Sequence, residues 1–378
     1  MLFKRAIGYG ILILFLSSCL TEHEYLPTEE ENNKVVNEWI YNKMYNYYYW
    51  AENLPLRPNY MESPDNFFSS LIFKPGEEDR FSWIVENSQE YQDLLNGIKD
   101  TFGFEYVLVY KDSTQNEIYG IIQYVLPDSP ASAVHIKRGD IFLQINDVNL
   151  NVDNYVSLLS KKTARYLFQD SNNEKSEIQL VATKVKEHPI LYKNIYEIEN
   201  NRIGYLVYNA FNGDSGDNTQ LYWNDLLNTF KFFKSNNIAE FILDFRYNPG
   251  GSLDLAVKLS SLLVPNIDSK KIALRLEYNE KITDALRGNE DETNLKFSSI
   301  PESYIGNQLK RIYIIVGPNT ASSSEAVINC LKPYMPVILI GTTTYGKNVG
   351  STMFHFQNEQ SDWILQPIIL SNCLNFIL

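Results

Sequence analysis

The sequence predicts an α/β core preceded by a β-rich domain and a small helical subdomain, and three observations carry that prediction. From Arg202 onward, apolar runs of strand length alternate with amphipathic stretches of helix length. Between about 100 and 187, short runs of β-formers are punctuated by Gly, Pro, Asn and Asp. Between 34 and 50, apolar side chains recur at helical spacing.

In the helical subdomain, expected over 34–89, Val36, Ile40, Met44 and Tyr47 fall on one face, and Leu54-Pro55 stops the helix. A second helix is expected over about Pro64 to Phe73, and the aromatic run Tyr47 to Trp50 reads as core. The β-rich domain is expected over 90–187. Its strands include Tyr106 to Tyr110, Tyr119 to Val125 and Ile178 to Val185. Ser129-Pro130-Ala131 opens a short helix, with Ser129 as N-cap and Pro130 in the first turn. Gly139-Asp140 turns into a strand that ends at a second turn, Asn146-Asp147. The α/β core is expected over 188–378. Its strands are Arg202 to Tyr208, Phe241 to Phe245, Ile312 to Val316 and Val337 to Ile340; its helices include Leu221 to Ser235 and Leu253 to Leu263. Arg287 to Ser298 reads as a surface loop.

The net charge of −13 lacks the basic footprint that nucleic acid requires, so nucleic acid is excluded as a partner. The four histidines are scattered at 23, 135, 188 and 355, and the three cysteines show no metal-ligand spacing. No metal, no cofactor and no disulfide framework is therefore expected. Cys330 lies in an apolar helical stretch and reads as core. At the N-terminus, Lys4 and Arg5 precede an apolar run from Ala6 to Leu16, too short to span a bilayer, and then Leu16-Ser17-Ser18-Cys19. Residues 1–18 read as a signal peptide. The last four residues of this stretch resemble the lipobox of bacterial lipoproteins. That resemblance implies lipidation at Cys19, an acidic tether over 19–33, and an extracytoplasmic, membrane-anchored protein.

Three segments carry chemistry. Asp244-Phe245-Arg246-Tyr247-Asn248-Pro249-Gly250-Gly251 joins a buried strand to a helix, where paired glycines present free N–H groups to a developing oxyanion. Gly317-Pro318-Asn319-Thr320-Ala321-Ser322-Ser323-Ser324-Glu325 again joins strand to helix, and Ser322 with Glu325 also fits a capping box. Thr344-Tyr345-Gly346-Lys347 places a Gly-flanked lysine after the next strand.

In this order the three segments resemble the C-terminal processing (tail-specific) serine peptidases. Members of that family carry a nucleophilic serine three residues before a glutamate and a lysine base 25 residues after the serine. Ser322, Glu325 and Lys347 match that spacing. The resemblance implies a ClpP/crotonase-like mixed sheet with flanking helices and a Ser322–Lys347 dyad. It implies an oxyanion hole made by the N–H of Ser323 with that of Gly250 or Gly251. Glu325 either orients Lys347 or caps the helix. A neutral lysine can take the serine proton only if its pKa falls, and the Val337 to Ile340 strand with Tyr345 is the expected apolar pocket. Thr320 and Ser323 depart from the family's Ser and Ala. Ser351 stands where some members have a glutamine supporting the lysine.

The segment Ser129-Pro130-Ala131 followed by Gly139-Asp140-Ile141 and Ile145-Asn146 is similar to the PDZ signature. PDZ domains add an extended peptide C-terminus to a strand edge. The resemblance implies peptide or protein substrates with free C-termini, held by the loop Phe102-Gly103-Phe104. Two other readings remain: a Ser–His hydrolase using His355, and a catalytically inactive peptide-binding lipoprotein. The end of the chain, Ser371 to Leu378, is apolar without a stop pattern and predicts a core lacking closing strands.

Overall fold

The structure, a computed structural model, describes residues 27–87, 91–93, 97–111, 116–214, 216 and 218–373. The signal peptide and Cys19 lie outside the described residues. Helix α1 (Glu29–Tyr47) begins where the Thr28 N–H donates to Glu31 Oε2 at 2.9 Å and the Glu31 N–H donates to Thr28 Oγ1 at 3.3 Å. Glu29, Glu30 and Glu31 fill its first turn, where the helix dipole favours acidic groups. This corrects the expected tether, whose acidic end is the start of a helix. Val36, Ile40 and Met44 are completely buried along one face. Helix α2 (Pro64–Leu71) packs there through Phe67, Phe68 and Leu71, and the chain runs on into β1 (Trp83–Glu86). Of the aromatic run, Tyr48 is buried in this core, whereas Tyr47, expected on the buried face of α1, is exposed.

The second region comprises β2 (Ile98–Thr101), β3 (Phe104–Tyr110), β4 (Ile118–Val125), α3 (Pro130–Ala133), β5 (Ile141–Ile145), β6 (Val148–Asn149), α4 (Tyr155–Leu159), β7 (Thr163–Gln169), β8 (Lys175–Val181) and β9 (Thr183–Lys186). An antiparallel sheet of order β3-β4-β5-β7-β8, with β6 folded onto β5, encloses a core that includes Phe104, Phe142, Tyr166 and Phe168. Ser129 caps α3 by accepting the Ser132 N–H at 3.2 Å. Asn146 and Asp147 both take positive φ (52° and 64°), which closes a two-residue hairpin between β5 and β6. β2 pairs with β9, so the first and last strands of the region lie side by side.

The third region holds β10 (Ile190–Ile198), β11 (Asn201–Tyr208), α5 (Leu221–Ser235), β12 (Glu240–Asp244), α6 (Leu253–Leu263), β13 (Ile272–Tyr278), α7 (Glu280–Ala285), β14 (Asn294–Lys296), β15 (Ile312–Val316), α8 (Ser323–Leu331) and β16 (Val337–Gly341). It continues with β17 (Val349–Ser351), β18 (Phe354–Gln357), β19 (Asp362–Gln366) and β20 (Ile368–Cys373). One sheet runs β10-β11-β12-β15-β16, antiparallel at β10 and parallel thereafter. Its buried strands and the apolar faces of α5, α6 and α8 share one core. A second sheet, β14-β13-β20-β17, flanks it.

Three boundaries differ from expectation. The segment read as a surface loop contains β14, because Leu295 pairs across to Leu274. Residues 371–373, the described part of the apolar end expected to leave the core without closing strands, belong to β20, an interior strand between β13 and β17. The hairpin β18–β19 pairs with β1, and its Leu365 is buried among the side chains of α1 and α2. The helical subdomain is therefore not a separate body, since its core is completed from the far end of the chain.

Candidate active site

Three parallel strands, β12, β15 and β16, lie next to one another and end on the same side, and each releases one of the predicted segments there. This is where α/β sheets place their sites. At the end of β12 the buried Asp244 carboxylate accepts from the Arg246 guanidinium (2.6–3.1 Å) and from the Tyr205 hydroxyl (2.7 Å), which fixes the start of the loop. The buried Asn248 then pins it. Its Nδ2 donates to Tyr208 O at 2.8 Å, and its Oδ1 accepts the Gly250 N–H at 2.8 Å. Its carbonyl accepts the Ala321 N–H (3.2 Å) and the Ser324 hydroxyl (3.1 Å) from the neighbouring loop.

The departures from the family pattern have structural roles. Thr320 Oγ1 donates to Phe245 O at 2.8 Å and accepts the Gly317 N–H at 2.9 Å. Ser323 Oγ donates to Gly251 O at 2.8 Å, a tie an alanine could not make. Ser322 sits at φ 55°, ψ −114°, a backbone that costs of order 1–3 kcal/mol for a side-chain-bearing residue. Such strain persists where the surroundings over-determine it, and here both flanking turns are bonded to Asn248. Gly250 lies against the serine: a Cβ on it would stand 2.8 Å from Ser322 Cβ and 2.9 Å from Ala321 O. Only glycine fits.

The two glycines named for the oxyanion hole differ in the state of their N–H groups. The Gly250 N–H is occupied by Asn248 Oδ1 and is unavailable to a ligand. The N–H groups of Gly251 and Ser323 have no partner among the described residues. Gly251 is exposed, and its φ of 135° with Phe211 O only 2.5 Å from a Cβ position again admits only glycine.

Glu325 joins the loops. Its carboxylate accepts four hydrogen bonds: from the Ser322 N–H (2.9 Å), the Thr344 hydroxyl (2.6 Å), the Gly346 N–H (2.8 Å) and the Lys347 N–H (2.9 Å). Both roles expected of it are therefore combined, except that it holds Lys347 by the backbone and makes no hydrogen bond to the amine. Ser322 and Lys347 line one cavity of about 130 Å³ together with Leu274, Glu325, Ala326 and Asn329. No hydrogen bond joins Ser322 Oγ to Lys347 Nζ. Burial of the amine pushes the Lys347 pKa below the ordinary lysine value, and the carboxylate of Asp79 opposes that shift.

The wall of the lysine pocket is not the one predicted. Ile338, Leu339 and Ile340 of β16 point to solvent, between 36% and 47% exposed. Instead the Phe81 ring, on the turn leading into β1, stands with its centroid 5.0 Å from Lys347 Nζ. Sequence reading missed Phe81, since nothing in the local pattern ties residue 81 to residue 347. Tyr345 packs on Phe81 (5.8 Å between centroids) but is itself exposed. Ser351, on β17, accepts a hydrogen bond from Gln366 at 2.6 Å and lines neither the small cavity nor the cleft that Lys347 lines. His355 is held by Asp362 (2.6 Å) on the β18–β19 hairpin and lines neither this cavity nor the cleft described next. Cys330 is core as expected: burial pushes its thiol up to about 12, and it donates to Ala273 O. Among the described residues no cluster of His, Cys, Asp and Glu could hold a metal, and no helix is long and apolar enough to cross a membrane.

A larger cleft of about 580 Å³ opens from Lys347, Tyr345, Ala321 and Pro249 toward Lys99, Glu105 and Glu187 of the β-rich region. Beyond it lies the expected carboxylate loop, where the structure requires a correction. The rings of Phe102 and Phe104 are buried in the β-rich core. The Gly103 N–H donates to Thr101 Oγ1 at 3.0 Å, and a Cβ at Gly103 would strike Ser129 Cβ at 2.0 Å. The glycine serves close packing and does not present its amide. The Leu126 N–H donates to Gly103 O at 2.7 Å, and because antiparallel pairs alternate, the backbone groups of Phe104 face the other edge of β3, which has no partner strand among the described residues.

Comparison with known proteins agrees with this architecture. Residues 202–367 match the peptidase family S41, and residues 35–83 match the peptidase S41 N-terminal domain. A CtpA-like serine protease of Staphylococcus epidermidis is 24% identical over 356 residues, covering 92% of this chain and 64% of that protein. A counterpart in Staphylococcus aureus is 26% identical over 235 residues, covering 61% and 42%. This chain thus spans less than two thirds of the length of these relatives. A solved Bacteroides fragilis protein assigned to the S41 proteases superposes with a TM-score of 0.72 at 26% identity, over 92% of this chain and 86% of that one. With both domain models matched in order and together spanning more than half of its length, the chain belongs to peptidase family S41.

Proposed function

We propose that this protein is a serine endopeptidase of the C-terminal processing type, with Ser322 as nucleophile and Lys347 as general base. The observation that carries the reading is the Glu325 carboxylate, which ties the Ser322 and Lys347 backbones around one small cavity. The neutral Lys347 amine takes the Ser322 hydroxyl proton as Oγ attacks a peptide carbonyl. The N–H groups of Gly251 and Ser323 receive the oxyanion, each worth about 3 kcal/mol in the transition state. The lysine then gives its proton to the leaving amine, and water releases the acyl group by the same steps. Burial lowers the lysine pKa, which raises the fraction of neutral base at working pH.

Substrates on this reading are extracytoplasmic proteins or peptides with free C-termini. The support is the edge of β3, which has no further partner strand among the described residues and whose Tyr106 and Leu108 pack on the same core as Tyr155 and Leu158 of α4, an arrangement that suits strand addition by a PDZ-like mode. Membrane attachment through Cys19 completes the proposal and rests on the sequence motif. An activity-based fluorophosphonate probe on the purified mature protein tests the reading. It labels Ser322, and Ser322→Ala abolishes the label. A properly folded protein that takes up no probe would instead favour the peptide-binding, non-catalytic reading.

A further inference from the structure

The Lys347 pocket has one wall that does not come from the peptidase domain. The turn Asp79–Ser82 belongs to the S41 N-terminal domain. Its buried carboxylate, Asp79, accepts from the Phe81 N–H (3.0 Å), the Ser82 N–H (2.9 Å) and the Tyr48 hydroxyl (2.7 Å). Tyr48 in turn accepts the Phe73 N–H at 3.0 Å, so the turn is fixed to the core under α1 and α2. On its other side Ser82 Oγ accepts the Ile368 N–H at 2.8 Å, and the Arg80 guanidinium donates to Gly346 O at 3.4 Å, one residue before the lysine. A rigid turn thereby presents the half-buried Phe81 ring to Lys347 Nζ.

We propose that Phe81 is a positioning residue for the catalytic lysine: its ring closes the solvent side of the Lys347 pocket, so the base is complete only when the N-terminal domain is docked. The inference rests on the Ser–Lys reading above. The charged and titratable groups that face the lysine are Asp79 and Arg80 on the turn, Glu325 on α8, Tyr345 on its own loop, and Lys99 with Glu105 and Glu187 across the cleft. Asp79 favours the ammonium, as does the π face of Phe81. Exclusion of water opposes both and prevails, since the lysine is held below its ordinary pKa. Leucine at 81 would keep the exclusion and lose the π face, whereas alanine would admit water.

Competitive labelling of the full chain with acetic anhydride, read at Lys347 by mass spectrometry across pH in a Ser322→Ala background, measures the lysine without using activity. The expected labelling midpoint lies below that of exposed lysines. Phe81→Ala moves it up by about one pH unit, and Phe81→Leu leaves it at or below the parent value. Should Phe81→Ala not fold, Phe81→Gln brings a polar group to the same place and must also raise the midpoint. In the active enzyme, the rising limb of kcat/KM for the same variant moves by the same amount, and kcat at pH 7 falls about tenfold with little change in KM. An unmoved midpoint in Phe81→Ala or Phe81→Gln, an upward shift in Phe81→Leu equal to that in Phe81→Ala, or a parent midpoint at the ordinary lysine value would each overturn the proposal. If the wild-type protein proves inactive, the dyad reading fails while the labelling still decides the role of Phe81.

Discussion

Ser322 and Lys347 stand on adjacent loops of one sheet, yet they are held in different ways. The serine loop is fixed entirely by its own domain: Asn248, Thr320 and Glu325 bond it on every side, and Gly250 lets the neighbouring loop approach to contact. The lysine is anchored by the same domain only through its backbone, and its amine rests against a ring from the N-terminal domain. On the proposed dyad, the nucleophile is preorganised locally, while the protonation of the base depends on how distant parts of the chain pack. Changes at the serine loop should reduce the rate at all pH values, and changes around the lysine should move the pH at which the rate appears.

The largest effects should come from the dyad. Ser322→Ala and Lys347→Ala should each reduce peptide cleavage by roughly 10⁴–10⁶-fold, with the double variant no worse than either, as measured by single-turnover kinetics. Glu325→Ala removes the one group common to both loops. It should lower kcat by roughly 10²-fold, and because each bond to a charged acceptor contributes about 1.5–3 kcal/mol, it should lower the melting midpoint as well. Gly250→Ala would sharpen the contrast. Its methyl group meets Ser322 Cβ, so kcat should fall by roughly 10–100-fold while the rising limb of the pH profile stays in place.

Smaller effects concern the lysine's charge and the peptide edge. A lysine whose pKa is lowered on folding binds protons more weakly folded than unfolded. Stability therefore rises as pH increases through the window from the lowered value to about 10.4, the ordinary lysine pKa. Lys347→Met should be more stable than wild type at pH 7, by about 0.5–2 kcal/mol in denaturant titrations, with the gain shrinking toward pH 10. At the β3 edge, a peptide acid should bind a few-fold more tightly than its amide in fluorescence anisotropy, since few amides remain free near Phe104. Equal binding would remove the carboxylate from the account.

What could be read from the sequence follows the same division. The order of strands and helices, the N-cap at Ser129 and the Asn146-Asp147 hairpin were legible because each is encoded within a few residues. Ser322, Glu325 and Lys347 stood out only through their resemblance to a family motif, and the structure brings them to the lining of one cavity. The free N–H of Gly251 rather than Gly250 was not legible, because the Asn248 side chain that occupies the Gly250 N–H shares a loop with it and the choice is conformational. The misassigned Phe102-Gly103-Phe104 amides failed similarly: a glycine needed for close packing against Ser129 looks, in sequence, like one needed to expose an amide. Phe81, the β1–β19 pairing and the burial of Leu365 were out of reach, since each joins positions hundreds of residues apart that no local period records.

The pH dependence of kcat/KM, measured for wild type beside Lys347→Arg, tests the central claim most directly. A guanidinium cannot act as the base at any accessible pH. The account predicts a wild-type limb that rises with a midpoint below about 10.4 and no cleavage by Lys347→Arg across the range. Robust cleavage by Lys347→Arg, in a preparation free of other proteases, would contradict it.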